Sequence, residues 1–178
     1  MSDSLDLGSD AGVNSRLAVL RQLTLEPTQQ PPQEPLVPGL FFDTDPEAPT
    51  TVTVASRPGE LLSAQFDVAG QARWLGLHIT LNDCPLAGKM LLGVAIRSQA
   101  PVSQTFRLCL RNGREGGFDD IFFRKTAIAY TEPSLHLDAL SLADHPALAA
   151  PAPWRELILF FRPDNGAIDL QDLRVFAL

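Results

Sequence analysis

The sequence predicts an all-β protein, an antiparallel β-sandwich carried behind an extended, proline-rich N-terminal arm. Three observations lead there. From residue 40 onward, short apolar runs alternate with clusters of Gly, Pro, Asn and Asp that form turns. No long stretch holds a helical period. A chain of 178 residues is long enough for one domain with a sizeable core and short for two.

The N-terminal fifth differs from the rest. Residues 1–14 are polar and acidic and are expected to be disordered. Residues 15–25, SRLAVLRQLTL, admit two readings. Leu17, Leu20 and the Val19/Leu23 pair fit a short amphipathic helix, whereas Leu17, Val19, Leu23 and Leu25, broken by Arg21, alternate as a strand does. Five prolines then fall between Glu26 and Gly39. Such a segment favours extended, polyproline-like backbone. Residues 1–38 are therefore expected as a flexible acidic arm, and 39–178 as the sandwich domain.

Within the domain, Phe41-Phe42 reads as a first edge strand. Strands are expected over residues 51–55, 61–68, 74–81, 90–98, 105–111, 121–126, 135–138, 154–161 and 173–178. Between them lie the turn signals Arg57-Pro58-Gly59, Ala69-Gly70, Asn82-Asp83, Asn112-Gly113, Gly116-Gly117 and Pro163-Asp164-Asn165-Gly166. Parity divides the faces. Leu75, Leu77, Ile79 and Leu81 point one way, and Trp74, Gly76, His78 and Thr80 the other. Phe106, Leu108 and Leu110 likewise oppose Arg107, Cys109 and Arg111. The run 157–161 is apolar on both faces and belongs in the middle of a sheet. Residues 140–153, rich in Ala and Pro, read as a long crossing loop.

Charge narrows the function classes. The formal net charge is −7. Residues 1–50 hold eight Asp or Glu against two Arg, a net −6, so the folded part is close to neutral. No basic stripe is available for nucleic acid. The basic residues are twelve Arg and two Lys, Lys89 and Lys125, as codon bias toward Arg also produces. Cys84 and Cys109 lack metal-site spacing and are expected as buried free thiols. No apolar run approaches the roughly 20 residues of a membrane span. The acidic N-terminus lacks the basic and apolar regions of a secretory signal. The expectation is a cytoplasmic protein, or one assembled into a particle.

A strand at 74–81, another at 105–111, a Phe-rich strand at 121–125, then WRELILFF and a closing IDLQDLRVFAL: this order resembles the galactose-binding-like jelly rolls, which include many carbohydrate-binding modules. The resemblance is one of pattern and covers about residues 50–178. It implies a jelly-roll sandwich that takes a glycan or polysaccharide on one sheet face or on the loops at one end, often with a structural calcium nearby. Many members bind no sugar and serve in assembly.

Sugar recognition needs flat aromatic or guanidinium faces and rigid polar groups. The outward set on the predicted strands is Trp74, His78, Arg107, Arg111 and Arg124, with Arg97 as a further candidate. The competing reading is a solvated sheet face, or one covered by the arm. Glu115, Asp119 and Asp120 in the stretch 111–120 are a candidate calcium set. Arg111 and Arg114 compete for the same carboxylates and favour a salt-bridged turn. The three histidines, His78, His136 and His145, fall in no HExxH pair, and no GxSxG elbow is present. The expectation is a non-catalytic, lectin-like carbohydrate-binding module. The alternative is a structural or assembly protein whose residues 1–38 dock on a protein partner or on further copies of the chain.

Overall fold

The computed structural model describes residues 9–10, 13–82 and 84–178. In chain order it contains β1 (Ser9–Asp10), α1 (Asn14–Leu20), β2 (Leu25–Gln30), β3 (Pro35–Val37), β4 (Leu40–Thr44), β5 (Thr50–Ser56) and β6 (Leu62–Val68). There follow β7 (Leu75–Asn82), β8 (Leu91–Gln99), β9 (Gln104–Arg114), β10 (Gly117–Ala129), β11 (Ser134–Ser141), a 3-10 turn (Pro146–Ala149), β12 (Arg155–Phe161) and β13 (Gly166–Ala177).

The strands form two antiparallel sheets packed face to face. The first runs β11-β8-β13-β6-β5-β2, with β1 added to β13, and the second runs β10-β9-β12-β7-β4-β3. Every expected strand has its counterpart. The expected parity holds: Leu75, Leu77, Ile79 and Leu81 are buried in the core, as are Phe106, Leu108 and Leu110. The doubly apolar run of β12 lies between β9 and β7, where both its edges are hydrogen-bonded. From the first sheet Val52, Val54, Phe66, Val94, Ile96, Ile168 and Val175 meet that surface and close one continuous core.

The N-terminal region resolves differently from a free arm. Residues 14–20 take the helical reading, with Leu17 and Leu20 buried beside Val13, and strand geometry begins only at Leu25. The proline-rich stretch is extended, as expected. Its strands nonetheless pair: β2 closes one edge of the first sheet on β5, and β3 closes the second sheet on β4. Edges tolerate Pro27 and Pro35 because a missing N–H there faces solvent. Residues 13–38 thus lie packed on the sandwich. Of the disordered lead expected at 1–14, residues 1–8 and 11–12 lie outside the described residues.

The stretch 111–120, expected as a charged loop, is a tight hairpin. β9 continues to Arg114, β10 starts at Gly117, and Glu115-Gly116 makes the turn with Gly116 at φ +74°. Further along, a bulge between Phe122 and Thr126 breaks the β9–β10 register. There the Lys125 backbone N–H donates to Asp138 Oδ2, and Lys125 Nζ donates to the Leu137 carbonyl on β11. The two sheets are thereby tied at that edge.

Candidate functional site

The outward side of the second sheet is built in rows by strand register. Asp120, Arg111, Glu156 and Thr80 lie abreast on β10, β9, β12 and β7. The next row is Phe122, Cys109, Ile158, His78 and Phe41. The row beyond is Thr126, Arg107, Phe160, Gly76 and Asp43.

An open sheet face normally leaves its outward side chains wet. Here Cys109, Ile158 and His78 are almost completely buried although they point away from the core. Aromatic rings cover them. Phe41 stacks on His78 at 4.9 Å with an 18° interplanar angle, and Phe160 meets His78 edge-on. Phe122 lies 5.8 Å from Phe160, and Phe118 lies 6.4 Å from Trp154. Two guanidiniums lie on this layer: Arg107 sits 4.2 Å over Phe122, and Arg111 3.9 Å over Phe118. Burial, reinforced by the Asp120 charge, pushes the Cys109 thiol up to about 12. It is a packing group on this face.

The polar atoms of the face are held firmly. Arg111 donates from Nε and Nη2 to the two oxygens of Asp120, at 2.7 and 2.8 Å, and that bidentate bond holds the guanidinium charged. His78 Nδ1 lies 3.0 Å from Glu156 Oε2. At one end of the face, Trp154 covers Gly113. A Cβ on that residue would stand 2.5 Å from the indole, so only glycine lets the ring lie on β9.

At the other end stands Trp74, with the Arg73 guanidinium 4.9 Å from its ring. Arg73 is fixed in turn by the buried Asp45, which accepts from its Nε, its Nη2 and its backbone N–H. Those bonds hold the Asp45 carboxyl well below the usual carboxylate range. Beside Trp74 is a cleft of about 410 Å³ lined by Arg107, Phe122, Thr126, Phe160 and Arg162 among others. The register places Trp154 and Trp74 some eight residues apart along the strands, roughly 25 Å at about 3.3 Å per residue.

Of the residues singled out in the sequence, Trp74, His78, Arg107 and Arg111 do share this face. His78 lies beneath Phe41, and Arg111 is engaged by Asp120, so Trp74 and Arg107 are the two of that set that border the cleft. Arg124 is elsewhere. The bulge turns it out of the register, and it pairs with Asp144 at 2.8 Å, in the connection after β11. Arg97 is on the opposite sheet, abreast of Leu135 and Asp172. Of the calcium candidates Glu115, Asp119 and Asp120, two carboxylates already accept from arginine, Asp119 from Arg114 at 3.2 Å and Asp120 from Arg111. Among the described residues no group of three acidic, His or Cys side chains is arranged to hold a metal ion. Sequence reasoning missed Phe41, Phe118, Phe122 and Phe160, the rings that pave the face. The alternation Phe118, Asp120, Phe122 was the available signal.

Comparison with solved structures settles the architecture. A family 11 carbohydrate-binding module of a cellulosomal cellulase from Clostridium thermocellum superposes with a TM-score of 0.55 at 7% identity, covering 88% of this chain and 97% of that one. The N-terminal cellulose-binding domain of β-1,4-glucanase C from Cellulomonas fimi gives 0.54 at 12% identity, over 79% and 89% of the two chains. A xylan-binding domain from Paenibacillus barcinonensis gives 0.52 at 10% identity, over 86% and 96%. The fold is carbohydrate-binding-module-like. At such identities the likeness is one of fold. No family model matches the sequence, and no curated protein is similar to it. Among the described residues, no helix of this module-like sandwich is long and apolar enough to cross a membrane.

Proposed function

We propose that the protein is a non-catalytic carbohydrate-binding module that lays a glycan chain across the outer face of the second sheet, from Trp154 toward Trp74. One observation carries this reading: an aromatic layer covers a sheet face that a purely structural sandwich would leave polar. Phe118 and Phe122 remain 44% and 37% exposed on it. Flat rings match the apolar faces of pyranoses, and Arg107, Thr126 and Thr105 at the cleft offer hydrogen bonds to hydroxyls. The fold likeness to carbohydrate-binding modules supports the same assignment. Docking through residues 1–38 would have to leave Val13, Leu17, Leu20 and Val37 in place, because these are part of the core.

The test is a glycan-array screen of the purified protein with and without calcium, repeated with Trp74→Ala and Phe122→Ala. Saturable binding to one glycan class, weakened by either substitution at unchanged melting temperature, is the expected result. No binding across neutral and acidic arrays would overturn the proposal.

A further inference from the structure

The cleft beside Trp74 differs in chemistry from the rest of the face. Three arginines line it, Arg73, Arg107 and Arg162, and no acidic residue among the described residues does. Two of the three are already matched. Arg73 pairs with Asp45 and reaches Glu47, and Arg162 pairs with Asp164 at 2.5 Å. Arg107 is different: among the described residues no carboxylate lies within ion-pair distance of it. It is nonetheless held in place, because its guanidinium rests on the Phe122 ring.

The comparison with Arg111 shows what is missing. Both arginines project from the same side of β9, two rows apart, and both stack on a phenylalanine of β10. Arg111 spends its edge N–H groups on Asp120. The corresponding partner position for Arg107 is Thr126, which carries no charge. A guanidinium pinned by its face and free at its edge is a preorganised fork for an incoming carboxylate. The overall acidity does not oppose this, since most of the net −7 lies in residues 1–50.

We infer that the Trp74 end of the face is a subsite for an acidic sugar, with Arg107 taking the carboxylate of a uronic-acid unit while Trp74, Phe122 and Phe160 bound its ring. This deepens the carbohydrate-binding reading and rests on it. The glycan class is then an acidic polysaccharide, and Arg107 decides between it and a neutral chain of the same length.

The experiment is titration calorimetry on the full chain with three probes of matched length: oligogalacturonate, a neutral xylo- or cello-oligosaccharide, and a sulfated neutral oligosaccharide. One charge-assisted pair contributes about ten-fold in affinity. The expected result is oligogalacturonate bound about ten-fold more tightly than the neutral chain. That advantage should shrink between 0.05 and 1 M salt, as the screening length drops to about 3 Å. Arg107→Ala should erase the advantage, costing the acidic chain about ten-fold more affinity than it costs the neutral one, and Arg107→Lys should restore part of it. Equal affinity for acidic and neutral chains refutes the subsite and leaves the carbohydrate-binding reading intact. An equal loss for both chains in Arg107→Ala refutes it too, since the side chain is then only a wall. Preference for the sulfated probe overturns the uronate assignment. Failure of all three to bind removes the inference together with the reading beneath it.

Discussion

Replacing Arg155 should destabilise this sandwich more than any change on the outer aromatic face. The residue opens β12 with a fully buried side chain, the largest such among the described residues. Its Nε donates to Asn112 Oδ1 at 2.8 Å, its Nη1 to the Cys84 carbonyl, and its Nη2 to the carbonyls of Leu148 and Ala150 at 2.8 and 2.7 Å. One planar group thereby ties the start of β12 to β9, to the segment after β7 and to the 3-10 turn. In Arg155→Met the Ala150 carbonyl, on an exposed residue, is rehydrated, whereas that of the buried Leu148 loses its donor. That stranded acceptor costs about 1–3 kcal/mol and the lost hydrogen bonds to Asn112 and Cys84 about 0.5–1.5 kcal/mol each, so the sum is about 2–6 kcal/mol. That is a large part of a typical domain stability of about 5–15 kcal/mol. At about 2–4 °C per kcal/mol for a chain of this size, a central 4 kcal/mol lowers Tm by roughly 12 °C. The assay is urea unfolding followed by tryptophan emission, with Trp154 adjacent to the site. Arg155→Lys should recover only part of the loss, because one ammonium cannot span carbonyls on two segments. A loss below about 1 kcal/mol in Arg155→Met, or full recovery in Arg155→Lys, would refute the reasoning.

Other consequences are open to simple measurements. His136 has its Nε2 buried and without a hydrogen-bond partner, and burial lowers its pKa despite the nearby Asp138. The unfolded chain then takes up a proton that the native state resists, so stability is full above about pH 6.5 and falls as the pH drops below it. His136→Phe should flatten that slope in denaturation midpoints measured from pH 7.5 to 5. Asp45 is depressed by Arg73, so its contribution is present above about pH 4 and is lost as the pH falls further. Asp45→Asn should remove this acid limb and free Arg73 from its place beside Trp74, seen as altered tryptophan emission with the fold retained by circular dichroism. Cys109, with a thiol pushed up to about 12, and the buried Cys84 should resist alkylation at pH 8 in the native protein. Both should react at once in 6 M guanidinium; rapid native labelling of Cys109 would show that the aromatic cover opens.

The legible part of this sequence was what a two-residue period and turn chemistry encode. Strands whose polar and apolar residues alternate in sequence, such as β7 and β9, show their parity outright, which is why Trp74, His78, Arg107 and Arg111 could be put on one surface from the sequence. The illegible part has specific causes. β2 and β3 contain Pro27 and Pro35, which speak against a strand except at an edge, and edge position is a property of the finished sheet. A helix of seven residues is too short for its period to be told from alternation. Phe41 and Phe160 sit in runs that are apolar on both faces, where parity carries no information. Arg124 was misplaced because the bulge after Phe122 resets the phase.

The pattern of burial on the outer face also argues against a purely structural reading of it. A sandwich gains its stability from the inner faces, and an exposed β-strand position is served well by Thr, Lys or Glu. Here the sequence instead sets Phe41, Phe118, Phe122 and Phe160 outward, over the buried Cys109, Ile158 and His78. Those rings do shield three side chains, which a stability argument explains. It does not explain why Phe118 and Phe122 remain open to solvent, or why Arg107 is stacked in place with its edge N–H groups unmatched by a carboxylate. Aromatic rings left wet beside an orphan guanidinium add little to folding and expose a surface prone to association. Both become useful once a ligand with an apolar ring face and an acidic substituent lies across them. The decisive comparison is therefore between Phe122→Ala and Phe41→Ala. The first should cost affinity with little change in Tm, and the second, which uncovers His78, should lower Tm as well.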